Sequence, residues 1–248
     1  MARREETLQR TRSRVQELIR EFGSYVDAFE TAGLFTGPSL FFHFKTLQRL
    51  KQYPTVTQAI QNESFLESLY ATLTSWGMHR MGPGNTRLVE FERFKRSFSS
   101  QATAIEMIAD RIILDLQDEE VDRISRHLWT VIRSLEVGVG EAKIVAGSKA
   151  LHHVLPNLVP PIDREYTLRF FCNNKTLRAD GAEEFAEIYP AFHQIARACE
   201  LEIRSRLTHP ERMHTSFTKV VDNGVVGYRL RHLQRDEDQS LATEAHAP

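Results

Sequence analysis

The stretch VGVGEAKIVAGSKALHHVLPNLVPPIDREYTLRFF, Val137 to Phe171, decides how this chain is read. A Gly138-Val139-Gly140 turn leads into a helical segment carrying Lys143 and Lys149. Pro156 and the Pro160–Pro161 pair stop that helix, since proline lacks the N–H and clashes with the preceding turn. Asp163 then stands where a helix N-cap belongs, and capping alone would account for it, although a carboxylate held there also has a fixed orientation. Two successive N–H groups in a glycine turn near a helix start can hold a phosphate oxygen, with Lys143 and Lys149 adding charge. The same composition also makes a plain tight turn between helices. Lys149, His152 and His153 fall at i, i+3 and i+4, a face read here as solvated, opposite Leu151, Val154 and Leu155. Adjacent histidines on one helix do not converge on an ion, so no metal is expected.

On either side the periodicity is helical. Leu8, Val15, Leu18, Ile19, Phe22, Val26 and Phe29 recur at three- and four-residue steps, and Gly33 and Gly37-Pro38 break the pattern before a second helix to Leu50. A short helix near Val56–Ile60 and a stronger one from Phe65 to Trp76 follow, and Gly77 ends the latter. Trp76 to Asn85 reads as a loop. Leu88, Phe91, Phe94 and Phe98 mark another helix, whose period Ala104, Ile105, Ile108, Ile112 and Leu116 continue. Asp118 is placed as N-cap of the helix bearing Val121, Ile124, Leu128, Val131 and Leu135. Phe185 to Ile203 forms a long amphipathic helix that Pro190 should kink or divide.

The only strand candidate is Thr218 to Leu230, where Asp222-Asn223-Gly224 suits a hairpin turn between Val220–Val221 and Val225–Val226; a helix ending at Asn223–Gly224 fits almost as well. From Gln234 the chain is polar and without period, so 234–248 is read as a disordered tail behind a helical domain over 1–233. The expected architecture is all-α and two-lobed with a cleft between the lobes, and with a minor C-terminal hairpin at most.

Composition narrows the function classes. The 248 residues are 41% apolar, enough for a substantial core. A formal net charge of −1 excludes polyanion binding by bulk charge but not a local basic face. Cys172 and Cys199 are too few for a disulfide scaffold or a cysteine-rich zinc site, so a reducing, cytoplasmic compartment is expected. The N-terminus MARREETLQR lacks the apolar core of a signal peptide, and no apolar run approaches membrane-spanning length.

The order Gly-Val-Gly, lysine, proline, then aspartate opening a helix resembles the catalytic region of the helix-hairpin-helix DNA glycosylase superfamily. GSKALHHVLPNLVPPIDREYTLRFF, with WGMHRMG in the N-terminal half, is also similar to a bacterial glycosylase-like group. The resemblance implies a two-lobed helical fold, double-stranded DNA as partner, no cofactor, and a monomer. It implies that the hairpin at Gly138, Gly140 and Lys143 grips the DNA backbone without reading sequence. Asp163 then stabilises the cationic sugar or activates the nucleophile, and a lysine attacks C1′. Lys149 has the better local context, whereas Lys143, twenty residues before Asp163, has the more usual spacing. Such an enzyme excises a flipped-out modified base, in repair or in defence against phage carrying modified cytosines. Trp76, His79, Arg80 and Tyr166 are the candidates for the base pocket. The competing reading of Trp76 is the last core residue of its helix, and that of His79 and Arg80 a solvated loop. Arg87, Arg93, Lys95 and Arg96 could follow a phosphate backbone or simply face solvent. The competing expectations are a helical DNA-binding protein without catalysis and a helical protein-interaction module.

Overall fold

The computed structural model describes residues 2–78, 87–140, 143–173, 177 and 180–244, with side chains described over 8–233. Among these residues there are twelve α-helices and no strand. They are α1 (Ala2–Arg20), α2 (Phe22–Ala32), α3 (Pro38–Leu50), α4 (Val56–Gln61), α5 (Glu63–Ser75), α6 (Phe91–Glu106), α7 (Asp118–Ser134), α8 (Lys143–His152), α9 (Arg169–Cys172), α10 (Ala182–Ala198), α11 (Glu200–Arg206) and α12 (Phe217–Glu244).

Local chemistry sets most boundaries. Gly33 ends α2 in the left-handed region at φ 57°, and Pro38 occupies the first turn of α3 behind Gly37 at φ 56°. Thr55 and Asn62 cap α4 and α5 by accepting from the N–H groups of Gln58 and Phe65, each at 3.2 Å. The cap of α7 is Gln117, one residue before the expected Asp118, and its N–H donates to the Glu120 carboxylate at 3.3 Å. Two periodic segments are shorter than expected. α6 stops at Glu106, and Ile113–Asp115 forms a 3-10 turn whose Ile113 N–H reaches the Asn157 carbonyl at 2.9 Å. Isoleucines buried from an irregular linker mimic helical spacing. α10 runs unbroken through Pro190, and the division falls at Cys199 instead.

The C-terminal hairpin expected at Asp222–Gly224 is not formed, nor does a helix end there. The segment lies inside α12, in which every residue from 218 to 228 is buried. A helix enclosed on all sides has no polar face and so no 3.6-residue alternation. Its run of valines and its Asp-Asn-Gly triplet then read as strand and turn. Gly224 and Gly227 instead let α12 cross α2 closely: a Cβ on Gly227 would sit 1.8 Å from the Tyr25 carbonyl oxygen, and one on Gly224 would sit 2.7 Å from the Phe22 ring. The backbone of α12 is helical to Glu244, across much of the 234–248 stretch expected to lack structure.

α2 packs along α12, α3 along α5, α4 along α6, and α7 against both α10 and α8. One continuous apolar core extends from Val15 to Tyr228. A smaller cluster around Phe29, Met213 and Val226, with Phe35, Trp76 and Tyr166 against it, borders the pocket described next.

Candidate active site

α7 and α8 pack on each other, and of the expected Gly138-Val139-Gly140 turn between them Gly138 forms an isolated antiparallel bridge with Leu88. Gly147 makes their contact close, since a Cβ there would meet Ile132 at 2.9 Å. The turn is braced by the segment before α6: Val89 N–H donates to the Val137 carbonyl at 3.0 Å and Val139 N–H to the Arg87 carbonyl at 2.9 Å. The Val139 N–H is therefore already engaged and does not serve in the expected anion-binding pair. Gly138 is buried and Gly140 half-buried. The Lys143 backbone N–H bonds the Asp180 carbonyl at 3.1 Å, and its side chain is half-buried at the start of α8.

Two turns further along α8, Lys149 lines a concave pocket of about 500 Å³ that also contains Asp163, Trp76 and Tyr166. Lys143 does not line it. The wall is otherwise mostly apolar, with Leu34, Phe35, Met78, Val145, Pro161 and Val226. Neighbours in the sequence tie the lysine to the aspartate: the Ser148 hydroxyl accepts the Ile162 N–H at 3.1 Å. Asp163 caps a single π turn over Arg164–Leu168, which runs directly into α9. Its Oδ1 accepts from the Tyr166 N–H at 2.7 Å and its Oδ2 from the Thr167 hydroxyl at 3.4 Å, while the Leu168 N–H closes an i to i+5 bond onto its carbonyl at 3.0 Å. Both carboxylate oxygens are thus oriented, and the wider turn is of the kind found at functional sites. Burial lowers the pKa of Lys149, against the pull of Asp163 and Asp222, and the charge of Lys219 adds to the lowering.

Trp76 closes α5 and is half-buried. It packs on Phe35 at 5.6 Å between ring centroids and on His43 at 5.3 Å, and its indole N–H donates to the Ser39 carbonyl at 3.2 Å. It is both a packing residue and a pocket wall. Tyr166 is half-buried across from it, its hydroxyl pKa raised first by burial and then by Asp163.

The solvated face expected at His152 and His153 is corrected by the structure. Both rings are fully buried, because α3 and α12 cover that side of α8. The Lys149 carbonyl accepts from His153 Nδ1 at 2.8 Å, which leaves Nε2 of His153 as acceptor. His43 Nδ1 therefore donates to it at 3.0 Å, and the Thr215 hydroxyl donates to His43 Nε2 at 2.9 Å. His152 Nδ1 donates to the Val159 carbonyl at 2.8 Å. Burial holds His43 and His152 well below the ordinary imidazole pKa and lowers His153 to about 4. Three neutral imidazoles are thus buried together, and two of them, His43 and His153, pack on the ring of Trp76.

A second polar group was not expected from the sequence. Lys219 is completely buried in α12, with its Nζ 2.7 Å from Asp222 Oδ2 and 2.7 Å from Asn223 Oδ1, over the rings of Phe29 and Phe35. Asp222 lines the pocket beside Lys149 and Asp163. Burial pushes its carboxyl pKa up and Lys219 opposes the shift. Sequence reading placed Asp222 in a hairpin turn or at the end of a helix, and the continuous helical path of α12 brings it to the site.

His79 and Arg80 lie outside the described residues. Of the basic group before and within α6, Arg93 pairs with Glu136, and Lys95 pairs with Glu63 at 3.0 Å and Glu92 at 2.8 Å. Among the described residues no cluster of histidine, cysteine or acidic side chains suits a metal ion, and no helix is long and apolar enough to cross a membrane. Compared with protein-family models, curated proteins and solved structures, the chain matches none.

Proposed function

We propose that this chain is a DNA glycosylase that releases a flipped-out modified base, with Asp163 and Lys149 as its catalytic residues. The observation that carries this reading is the convergence of Lys149, Asp163, Trp76 and Tyr166 on one pocket. Its volume lies within the roughly 300–1,000 Å³ of small-molecule sites. In the proposed reaction the base enters between the aromatic side chains, at the cost of leaving the stack. The Lys149 amine attacks C1′ as the C1′–N bond breaks with its electron pair leaving on the base, which takes up the proton that the attacking nitrogen loses. The sugar ring then opens to a Schiff base, which water hydrolyses to give the abasic site and the free amine. The Asp163 carboxylate stabilises the positive charge that develops on the sugar. Burial of Lys149 favours the neutral amine that this attack needs. Double-stranded DNA is the proposed partner, held at Gly140 and Lys143.

The test is a panel of duplexes carrying different modified bases, scored for abasic sites. Asp163→Asn is the informative variant, because asparagine caps a helix as well as aspartate does. Stability should change by less than about 1 kcal/mol while base release falls at least about a hundredfold. Full activity in that variant, or no release from any duplex by the unmodified chain, would refute the proposal.

A further inference from the structure

Asp222 is 5% exposed, lines the pocket, and uses one carboxylate oxygen, Oδ2, on Lys219; its Oδ1 has no hydrogen-bond partner among the described residues. A buried acceptor left unpaired is costly, so a native site that keeps one is expected to fill it with a ligand or water. No side chain among the described residues bonds it: Lys149 lines the same pocket and is attracted by Asp222, but its amine is the nucleophile of the proposed reaction and makes no hydrogen bond to Oδ1. The Lys219 ammonium is held by Asp222 Oδ2 and Asn223 Oδ1 and pinned over Phe29 and Phe35. Both oxygens of Asp163 are engaged at the start of its own π turn, and the Ser75 hydroxyl donates to the Thr72 carbonyl at 2.8 Å.

We infer that Asp222 is the specificity-determining residue of the pocket, whose unpaired carboxylate oxygen accepts a hydrogen bond from the exocyclic amino group of a cytosine- or adenine-type base. The inference rests on the nucleobase reading above and adds the polar edge that is recognised. An amino group is the appropriate donor because the acceptor is recessed in the wall. Its hydrogens project beyond the ring, whereas a ring N–H lies closer to the ring and reaches less far. Phe35, Trp76 and Tyr166 border the same space and provide faces for the ring.

Four small probes test this without DNA and without turnover: 1-methylcytosine against 1-methylpyrimidin-2-one, and 9-methyladenine against 9-methylpurine. Each pair differs only in the amino group, and the methyl group stands at the glycosidic position. Saturation-transfer NMR titrations of the full chain should show each amino-bearing probe binding about tenfold or more tighter, as a hydrogen bond to a charged group requires. In Asp222→Asn the donor-only Lys219 holds the amide oxygen, which turns the amide N–H₂ toward the ligand and makes the acceptor a donor. The preference should then vanish or invert. Equal binding within each pair by the unmodified chain, no binding of any probe, or an undiminished preference in Asp222→Asn would overturn the inference. If Asp222→Asn does not fold, the comparison in the unmodified chain decides alone. Discrimination among the probes with no base released from any duplex would count against the glycosylase proposal only. Base release without discrimination would count against the role of Asp222 only.

Discussion

Lys219 and Asp222 form a salt bridge of 2.7 Å one helical turn apart, with the lysine side chain wholly shielded from solvent. A buried pair of this kind is worth little net free energy, but breaking it strands a charge. Lys219→Met should lower the unfolding free energy by about 3–5 kcal/mol, read from urea denaturation. Lys219→Met combined with Asp222→Leu should recover at least half of that loss. A double variant no more stable than the single one would show that the pair is favourable in its own right.

Gly227 and Tyr25 supply a sharper test of the α2–α12 crossing. Alanine is the better helix former by about 1 kcal/mol, so an exposed helical glycine would gain from replacement. Here the added methyl group would meet a backbone carbonyl at 1.8 Å, and the helices must separate. Gly227→Ala should therefore destabilise by several kcal/mol, roughly the upper range of single-site effects, or abolish folding. Gly224→Ala should cost less, because its neighbour is the Phe22 side chain, which can turn aside. Equal thermal midpoints for the two variants would contradict the crossing described.

How much of this was legible depended on whether a helix keeps one wet face. α2, α5 and α7 do, and their apolar residues mark them at once. α12 does not, and its glycines serve a helix crossing rather than a turn. The histidines of α8 failed for a related reason. Whether a polar face is solvated depends on what covers it, and the covering residues His43, Thr215 and Thr218 lie far away in the chain. A lysine near Asp163 was suggested by the family resemblance, but the choice between Lys143 and Lys149 was open in the sequence; the structure places Lys149 on the pocket that Asp163 lines, with Ser148 bonded to Ile162. Asp222 joins them from a distant helix that carried no helical signal.

The three buried histidines predict a pH dependence of stability. Their pKa values are lowered in the folded chain, so the unfolded chain takes up more protons as the pH falls. Their contribution is complete above about pH 6.5, the ordinary imidazole value, and is lost as the pH approaches about 4, where His153 titrates. From His153 alone the loss is about 3 kcal/mol. Urea midpoints should fall steadily between neutral pH and this lower limit, with the near-ultraviolet dichroism of Trp76 reporting the same transition because it packs on His43 and His153. A flat stability profile over that window would mean that the rings are charged or solvated.

Lys149 and Lys143 can be told apart by experiment because only the first lines the pocket. If the Lys149 amine attacks C1′, borohydride should trap a covalent protein–DNA adduct on a duplex that supports base release. Lys149→Ala should abolish that adduct and reduce base release at least about a hundredfold, within the usual range for a lost nucleophile or its activating group. Lys143→Ala should keep the adduct and weaken binding to every duplex alike, with the slope of log affinity against log salt reduced by about 1. The reverse outcome, an adduct lost with Lys143 and kept with Lys149, would move the nucleophile out of the pocket. It would require the start of α8 to approach Asp163 when DNA binds. The unequal effect of salt on the two variants separates this case from a general loss of affinity, since removing a nucleophile leaves phosphate contacts intact while removing a phosphate contact leaves the chemistry of the bound complex unchanged.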